Sequence, residues 1–457
     1  MGKEPFNKDI FAPPPSLDRV LCSREERVKR QERMRLEYSR TVISFTMNIP
    51  GEIKSSAAIK RAFLDGLNEL LARLGEEPGE IDVRADDDTG PSAILSVAMD
   101  AEEAKKIALY VEERLPLGRL YDIDVIGKGG ERLSRGEPRG CIICGKKGKT
   151  CAASRTHPAK ELWQKTLTTI YNYYKNRDPE CIGAYAMDSL IYEAMLSPKP
   201  GLVDPASSGA HEDMTVEHLG ASAEALLPYF IECVRLGMEA CQEEASTSFS
   251  KLRELGLRAE GDMLMATGGV NTHKGAIYSM GIMLFAIGRC WTPGEPISDP
   301  CRLFDECMTI AVDAATRDLE LIDRSTAGGR AYLDHGIRGI RGEVIDGFPT
   351  LRKSLTRFER MIEMGESEDA AALDALILLI SKVDDTCLYN RGGVDGIRYA
   401  KERASELLAL GVTEESVRRM DEDFTRLRLS PGGSADLLAL TYLIYKLRQE
   451  VNPTSPK

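Results

Sequence analysis

The sequence predicts a multidomain protein in which a smaller N-terminal α+β domain, residues 1–157, precedes a larger all-α domain, residues 158–457. The chain has 457 residues, more than one ordinary hydrophobic core requires. Strand-like alternation is confined to the N-terminal part, where the predicted order is β-α-β-β-α-β. From residue 158 onward, long amphipathic segments with helical spacing replace the strands.

The elements of the N-terminal domain follow from periodicity and turn signals. A dense charged run at residues 23–37 predicts a solvated helix. Strands are predicted at residues 41–49, 81–84, 93–98 and 120–126, and helices at residues 57–74 and 101–115. This order suits a compact domain with helices on one face of a mostly antiparallel sheet.

The C-terminal domain is predicted to be helical throughout. Its amphipathic segments lie at residues 162–174, 182–196, 219–241, 275–287, 301–323, 350–364, 371–380, 394–410 and 434–450. Short polar, Gly-rich segments are predicted as loops between these helices. Binding groups are often found on such loops when a rigid scaffold holds them.

Composition and charge favour a soluble cytoplasmic protein. Hydrophobic residues make up 42% and charged residues 29%, which is typical of globular proteins. No apolar run approaches the roughly 20 residues of a membrane-spanning helix, and residues 1–16 lack the apolar core of a signal peptide. A net charge of -12 disfavours nucleic acid as the main ligand. We therefore expect a cytoplasmic protein with neither membrane nor nucleic acid as its partner.

Two acids on a predicted strand indicate a divalent-metal site in the N-terminal domain. Asp122 and Asp124 are two residues apart, so both side chains project from the same face of the strand. Oxygen ligands at this spacing can hold Mg²⁺ against the phosphates of a nucleotide. The alternative is a pair of solvated acids on an exposed face. Arg119 and Arg135 are nearby candidates for binding the phosphates of a substrate.

A cluster of soft ligands closes the same domain. Cys141, Cys144, Cys151 and His157 are close enough in sequence to form one tetrahedral Zn²⁺ site of structural type. Their spacing matches no standard zinc finger. A buried thiol cluster with an incidental histidine is the alternative.

One segment of the C-terminal domain has the composition of an anion site. Residues 267–275, TGGVNTHKG, lead directly into a predicted helix, so backbone N–H groups, Asn271 and Lys274 are suited to bind a triphosphate. The spacing is not that of a Walker P-loop. His273 is the candidate catalytic base, and His211 is a second group available for acid-base chemistry. An ordinary capped helix is the alternative.

Further cations and acids follow on predicted Gly-rich loops. The remaining candidates for phosphate or substrate binding are Lys199, Arg341, Arg391, Gly432 and Gly433. The candidate Mg²⁺ ligands are Glu343, Asp385 and Asp436. Each of these alone is also compatible with a surface salt bridge or a helix cap, but together they favour one shared site for a polyanion and a metal ion.

Several of these motifs resemble two known families. The segments PKPGLVD at 198–204, GAH at 209–211, GVNTHKG at 269–275, RGE at 341–343, NRGG at 390–393 and SPGGSADLLA at 430–439 resemble the triphosphoribosyl-dephospho-CoA synthase family. The segments MNIPG at 47–51, TGP at 89–91, GRLYDIDV at 118–125 and the Cys/His cluster resemble the citrate lyase holo-acyl-carrier-protein synthase family, a group of nucleotidyltransferases. The two resemblances in one chain imply a fused, bifunctional protein.

The resemblance implies two consecutive reactions. In the helical domain, the 2′-hydroxyl of 3′-dephospho-CoA attacks C1′ of the ATP ribose and adenine leaves, with His273 or His211 as the base. The N-terminal domain then transfers phosphoribosyl-dephospho-CoA to a serine of the citrate lyase acyl carrier protein and releases pyrophosphate, with Asp122 and Asp124 holding Mg²⁺. Two alternatives stay open: the equivalent pathway of malonate decarboxylase, and a non-catalytic, zinc-stabilised N-terminal module that binds the carrier protein.

Overall fold

The computed structural model describes residues 13–75, 78–146, 151, 154, 156–297, 299–320 and 323–450. These residues form two compact units. The first contains the residues up to Arg177 together with Thr292–Glu295, and the second contains Asp178–Trp291 and the residues from Pro296 onward. The first unit is α+β and the second is helical, which confirms the predicted fold class. Residues 1–12, most of the segment inspected for a signal peptide, lie outside the described residues.

The first unit is built on a five-stranded antiparallel sheet. Its elements are α1 (Leu17–Tyr38), β1 (Thr41–Met47), α2 (Ala57–Leu74), β2 (Glu80–Arg84), β3 (Ser92–Val97), α3 (Ala101–Arg114), β4 (Tyr121–Ile126) and β5 (Arg132–Leu133). The strand order is β2-β3-β1-β4-β5. Every predicted strand and helix is present, and the two-residue strand β5 is an addition that its length hides from sequence patterns.

Helices cover both faces of this sheet, so the expectation of helices on one face is wrong. On one face, Phe63 of α2 packs against Phe45 of β1, with ring centroids 5.0 Å apart. On the other face, Met34 of α1 joins a buried cluster with the sheet, and Gln31 Nε2 donates to Ser44 Oγ at 2.8 Å. Ser44 and Phe45 are neighbours in a strand and therefore point to opposite faces. The charged helix α1 is thus a packed element and not the solvated helix that its charge suggests.

The helices from residue 159 onward are α4 (Ala159–Met195), α5 (Val216–Glu239), α6 (Ala245–Ala266), α7 (Lys274–Cys290), α8 (Pro300–Glu320), α9 (Ala327–His335), α10 (Gly339–Ile345), α11 (Pro349–Glu363), α12 (Glu368–Lys382), α13 (Thr386–Leu410), α14 (Glu414–Arg426) and α15 (Gly432–Glu450). The single helix α4 covers two predicted segments. The sequence patterns miss α6, α9, α10 and α14. Within the described ranges, no helix is both long and apolar enough to cross a membrane.

The buried helix α7 lies at the centre of the second unit. It packs closely on α5, because both helices have a glycine at the contact. A Cβ atom at Gly237 would lie 2.2 Å from the Phe285 carbonyl oxygen, and one at Gly288 would lie 2.2 Å from the Val234 carbonyl oxygen. Only glycine allows this approach. The contact fixes α7 in the core and thereby fixes the position of its N-terminus at Lys274.

Candidate active sites

A cavity of about 570 Å³ in the helical unit brings together most of the candidate residues of that domain. The first turns of four helices reach it, through Gly328 of α9, Lys274 and Gly275 of α7, Thr386 and Cys387 of α13, and Gly432 and Gly433 of α15. The first N–H groups of a helix have no partner within the helix and attract anions. The cavity therefore has the backbone arrangement that a phosphorylated ligand requires.

Helices begin where the sequence predicts Gly-rich loops, and this is a correction to the sequence analysis. Glycine lowers helix propensity, but capping side chains offset its cost in a first turn. Thr326 Oγ1 accepts from Gly329 N at 3.0 Å at the start of α9. Asp385 Oδ1 accepts from Cys387 N at 2.8 Å at the start of α13. Within α13, Gly393 alone leaves the helical conformation, with φ +61°.

Asp385 connects the starts of two helices at the cavity wall. While its Oδ1 caps α13, its Oδ2 accepts from Ser434 N at 2.9 Å and from Ser434 Oγ at 3.2 Å in α15. A Cβ at Gly433 would lie 3.2 Å from the same Oδ2, so the glycine allows the close approach. Burial raises the pKa of Asp385, and the backbone hydrogen bonds oppose this shift. Both oxygens are thus engaged in holding the site together.

Asp436 is a half-buried carboxylate in the lining of the cavity. Among the described residues, no hydrogen-bond partner contacts its side chain, which lies against Gly275: a Cβ there would be 2.0 Å from Oδ2. Burial, and then the charges of Glu193 and Asp385, raise the pKa of Asp436 well above its usual range. A carboxylate in this situation is stabilised either by a proton or by a cation.

Glu193 is a buried acid of the cavity that the sequence analysis missed. It pairs with Lys199, whose Nζ donates to Glu193 Oε1 and to the Glu193 carbonyl oxygen, both at 2.6 Å. The two side chains are only 7% and 1% exposed, so the pair is buried. Lys199, a candidate phosphate ligand, thus spends two of its donors on Glu193. The available signal was an acid in the apolar segment that directly precedes the Pro-Lys-Pro turn.

His273 stands at the N-cap position of α7 and is buried. Its Nδ1 lies 2.7 Å from Ser222 Oγ, and Thr272 Oγ1 donates to the same oxygen at 2.8 Å. Its Nε2 is buried and has no hydrogen-bond partner within the described structure. Burial, followed by the charge of Lys199, lowers the pKa of His273 to about 4. The imidazole is therefore neutral at neutral pH, as a proton acceptor must be.

His211 is held differently, because both of its ring nitrogens have partners. Arg391 Nη2 lies 3.0 Å from Nδ1, and since a guanidinium only donates, Nδ1 accepts. Nε2 then carries the proton and donates to Ser430 Oγ at 2.9 Å. Arg391 Nη1 also donates to the Ala210 carbonyl oxygen at 2.8 Å. Burial, and then Arg391, lower the pKa of His211 to about 4.

The other candidate cations differ in how strongly protein groups engage them. Arg341 lines the cavity, has its guanidinium 6.0 Å from the Tyr278 ring centre and forms no ion pair in the described part of the chain. Its Nε is buried without a hydrogen-bond partner. Lys274 Nζ lies 2.7 Å from Glu260 in a largely exposed pair, which is weak and easily exchanged. Asn271 is exposed at the rim.

The structure does not bring Glu343 to the cavity. Its Oε2 accepts from Thr350 N at 3.1 Å and its Oε1 accepts from Thr350 Oγ1 at 2.6 Å, so it caps the first turn of α11. Burial raises the pKa of Glu343, and these hydrogen bonds oppose the shift. Its predicted metal role therefore finds no support in the geometry.

In the first unit, Asp122 and Asp124 lie on the same exposed face of β4, between the buried residues Tyr121, Ile123 and Val125. Partial desolvation, followed by repulsion from Asp124, raises the pKa of Asp122. Burial and the charge of Arg24 lower the pKa of Arg27 on α1, and Asp122 and Asp124 oppose this shift. Two mutually repelling carboxylates beside arginines are a suitable environment for a metal ion and phosphates.

Arg119 and Arg135, the two predicted phosphate ligands, are both bound to protein groups. Arg119 donates to the Gly140 carbonyl oxygen. Arg135 and Arg139 pair with the buried carboxylate of Glu112, which also accepts from Ile123 N at 2.8 Å. These side chains cover the edge of β4 beyond the short strand β5. The sequence analysis missed Arg27, because a helical charge run gives no sign of which arginine faces the sheet.

The Cys/His cluster is assembled in space. One ligand atom from each of Cys141, Cys144, Cys151 and His157 lies within 4.8 Å of all the others. The Cys144 and Cys151 sulfurs are 3.4 Å apart, close to the roughly 3.8 Å edge of a tetrahedral zinc–thiolate site. The hydrogen bond from His157 is the main cause that lowers the pKa of Cys144 to about 6. This geometry fits a metal ion such as zinc.

Comparisons with known proteins identify a family for each of the two parts of the chain. A family model described as "Apo-citrate lyase phosphoribosyl-dephospho-CoA transferase" matches residues 15–173, and one described as "ATP:dephospho-CoA triphosphoribosyl transferase" matches residues 179–455. The "Protein CitXG" of Haemophilus influenzae is 34% identical over 95% of this chain and 96% of its own length. That of Leuconostoc mesenteroides subsp. cremoris is 33% identical over 94% and 97%.

A relative with only one of the two activities in its name aligns with part of the chain. The "2-(5''-triphosphoribosyl)-3'-dephosphocoenzyme-A synthase" of Pectobacterium atrosepticum is 38% identical over 56% of this chain and 86% of its own length. These matches confirm that the protein is a bifunctional transferase for the synthesis and attachment of the citrate lyase prosthetic group. The chain belongs to the CitXG family, in which an apo-citrate lyase phosphoribosyl-dephospho-CoA transferase is fused to an ATP:dephospho-CoA triphosphoribosyl transferase.

Proposed function

We propose that the cavity of the helical unit is the active site at which the triphosphoribosyl group of ATP is transferred to the 2′-hydroxyl of 3′-dephospho-CoA. The convergence of four helix N-termini on one cavity, together with Arg341, which forms no ion pair among the described residues, carries this proposal. A triphosphate has more negative charge than a single cation neutralises, and several N–H donors with a guanidinium meet that need. Lys274 can add its charge by exchanging Glu260 for phosphate.

Asp436 and Glu193 would hold the Mg²⁺ ion that accompanies ATP. The observation that supports this role is the Asp436 carboxylate, whose pKa is raised by burial and by its acidic neighbours. Hard carboxylate oxygens are the ligands that Mg²⁺ prefers, and a bound ion would neutralise charge on the triphosphate. Asp385, whose oxygens are occupied by backbone donors, would position Asp436 through α15 and need not contact the ion.

His273 is the proposed acceptor of the proton from the 2′-hydroxyl. In the reaction, the bond from O2′ to C1′ forms, the bond from C1′ to adenine breaks, the hydroxyl proton leaves O2′, and the departing adenine takes up one proton, so that it leaves as neutral adenine. His273 is neutral and its Nε2 has no hydrogen-bond partner among the described residues, so it can accept this proton. His211 has both nitrogens engaged and is better suited to hold Ser430 and Arg391 in position.

The α+β unit would attach the product to the citrate lyase acyl carrier protein. Asp122 and Asp124 would hold Mg²⁺, and Arg27 and Arg132 are nearby cations for the phosphates. The Cys/His cluster would bind zinc in a structural role, because four protein ligands leave no open coordination position. We assign attachment to residues 1–157 and synthesis to residues 158–457.

One incubation tests both assignments. The purified chain is mixed with ATP, Mg²⁺ and 3′-dephospho-CoA, and free adenine is measured by chromatography before and after the apo-carrier protein is added. We expect adenine release that depends on 3′-dephospho-CoA, followed by pyrophosphate release and a mass increase of the carrier. Formation of ADP in place of adenine would refute the triphosphoribosyl transfer.

The same incubation separates the alternatives. If the α+β unit is a carrier-binding module without chemistry, adenine release occurs but the carrier mass does not change. If the pathway is that of malonate decarboxylase, the carrier protein of that enzyme is modified in preference to the citrate lyase carrier. The match of the α+β unit to an apo-citrate lyase transferase family supports the citrate lyase carrier.

A further inference from the structure

A second cavity, of about 500 Å³, lies in the helical unit beside the first. Its walls come mainly from three helices. Tyr229 belongs to α5, Phe249 and Leu252 belong to α6, and Ile277 and Ile282 belong to α7. These side chains are apolar or aromatic, Arg253 of α6 adds a charged side chain to the lining, and the Tyr229 hydroxyl already donates to the Ile277 carbonyl oxygen at 2.9 Å. The interior of this cavity therefore suits an aliphatic group better than a heterocycle with several polar edges.

The two cavities share their boundary residues. Lys274, Arg341, Tyr278 and Glu260 line both. Two of the four are cations, and Arg341 is the one without an ion pair among the described residues. A ligand that extends from the first cavity into the second must pass these cations. An anionic group in the middle of such a ligand would form ion pairs with these cations.

The chemical groups of the acceptor substrate follow one another in the same order as the first cavity, the cations and the second cavity. 3′-Dephospho-CoA consists of a nucleoside, a diphosphate and a long pantetheine arm with a branched aliphatic centre. Its ribose 2′-hydroxyl must reach C1′ of ATP, which places the nucleoside in the first cavity. The diphosphate and the arm must then leave that cavity, because ATP occupies it as well.

We infer that the second cavity is the binding site for the pantetheine arm of the acceptor, with its diphosphate held between the cavities by Arg341 and Lys274. This inference rests on the proposed function of the first cavity. It predicts that residues of α6 and α7, which are remote from the reacting atoms, contribute to the affinity for the acceptor. Burial of the arm's aliphatic part would supply this affinity, because it removes apolar surface from water.

Gly256 allows the cavity to be filled without disturbing the fold. It lies in α6 and lines the second cavity only, and a Cβ there would meet the Tyr229 hydroxyl oxygen at 3.7 Å and Ile277 Cγ2 at 3.9 Å. These are ordinary contacts, so a leucine side chain at this position enters the cavity between them. Leucine also has a higher helix propensity than glycine. Gly261 of the same helix is exposed and has no atom within 4 Å of its Cβ position, which makes Gly261→Leu the matched control.

The test is steady-state adenine release by the full chain with each substrate varied in turn. Gly256→Leu is expected to raise the KM for 3′-dephospho-CoA about tenfold or more and to leave the KM for ATP unchanged, while Gly261→Leu changes neither. Free 4′-phosphopantetheine should inhibit the wild type competitively against 3′-dephospho-CoA and should inhibit Gly256→Leu much more weakly. A raised KM for ATP would instead assign the cavity to ATP, and unchanged KM values for both substrates would also overturn the inference.

Calorimetric titration with 4′-phosphopantetheine separates this inference from the proposed function. Binding by the wild type and by Gly261→Leu, with a loss in Gly256→Leu, supports the arm site whether or not adenine is released. Equal binding by all three proteins refutes it. A protein that binds the probe but releases no adenine would contradict only the proposed reaction.

Discussion

A methyl group at Gly275 is predicted to disable synthesis of the prosthetic-group precursor without unfolding the protein. Gly275 lies in the first turn of α7, and a Cβ there would be 2.0 Å from Asp436 Oδ2. Ordinary contact begins at about 3.4 Å, so the carboxylate must move by about 1.4 Å, the difference between the two distances. The obstructing atom is the end of a side chain and not backbone, so the fold can accommodate the change.

The expected effect on rate follows from this displacement. A shift of about 1 Å in a catalytic group can cost about 100-fold in rate, so Gly275→Ala should lower the turnover for adenine release by about 100-fold. Stability should be little changed, because alanine in a helix is favoured over glycine by at most about 1 kcal/mol. Gly261→Ala, at an exposed position of α6 with open space around it, should keep full activity.

The mechanism of the loss can be tested with a double-mutant cycle. Adenine release is measured for Gly275→Ala, Asp436→Ala and the double variant, with thermal unfolding as the control for folding. If alanine acts by displacing Asp436, the double variant should be no slower than Asp436→Ala alone. Wild-type turnover by Gly275→Ala, or losses that multiply in the double variant, would refute the role of Asp436.

Three further outcomes are expected. Asp122→Ala should abolish the mass increase of the carrier protein while adenine release continues, and a normally modified carrier would remove Asp122 from the attachment site. Cys144→Ser should lose bound zinc, measured by elemental analysis, and should melt at a lower temperature, whereas the exposed Cys22→Ser should match the wild type in both. His273, with its pKa lowered from 6.5 to about 4, binds fewer protons in the folded chain than in the unfolded one, so its contribution is complete above pH 6.5 and is lost as the pH falls toward 4. Between pH 6.5 and pH 4, the free energy of unfolding of His273→Asn should therefore fall by up to about 3 kcal/mol less than that of the wild type. Urea titrations measure both decreases, and equal decreases would show that His273 is not buried in its neutral form.

The sequence predicts much of what depends on local periodicity, although its patterns miss helices such as α6 and α14. Alternation along residues 120–126 places Asp122 and Asp124 on one face, and the structure has them there. Close spacing of the Cys141 to His157 ligands predicts a cluster, and their atoms do meet. The same local reasoning wrongly predicts that α1 is a solvated helix. Its charged residues outnumber the few side chains, such as Met34, that pack against the sheet.

The helical site shows what local patterns leave out. The composition of its Gly-rich segments predicts loops, but their glycines allow close contacts between distant parts of the chain. Gly433 makes room for Asp385, and Gly275 makes room for Asp436, across long sequence separations. No periodicity within a segment encodes such a pairing, since the partner is set by how whole helices pack.

Glu193 is the clearest example of a residue whose role depends on helix packing, because that role appears only when three helices are assembled. Within its own segment it is one acid on an apolar helix, and an exposed position would be the ordinary expectation. In the fold it is buried, balanced by Lys199, and it contributes to the raised pKa of Asp436. Among the described lining residues of the cavity, four acids and four cations balance in number, so the negative charge is local to Glu193, Asp385 and Asp436. A divalent cation that arrives with the nucleotide would neutralise this local charge, which is why we propose Asp436 and Glu193 as its ligands.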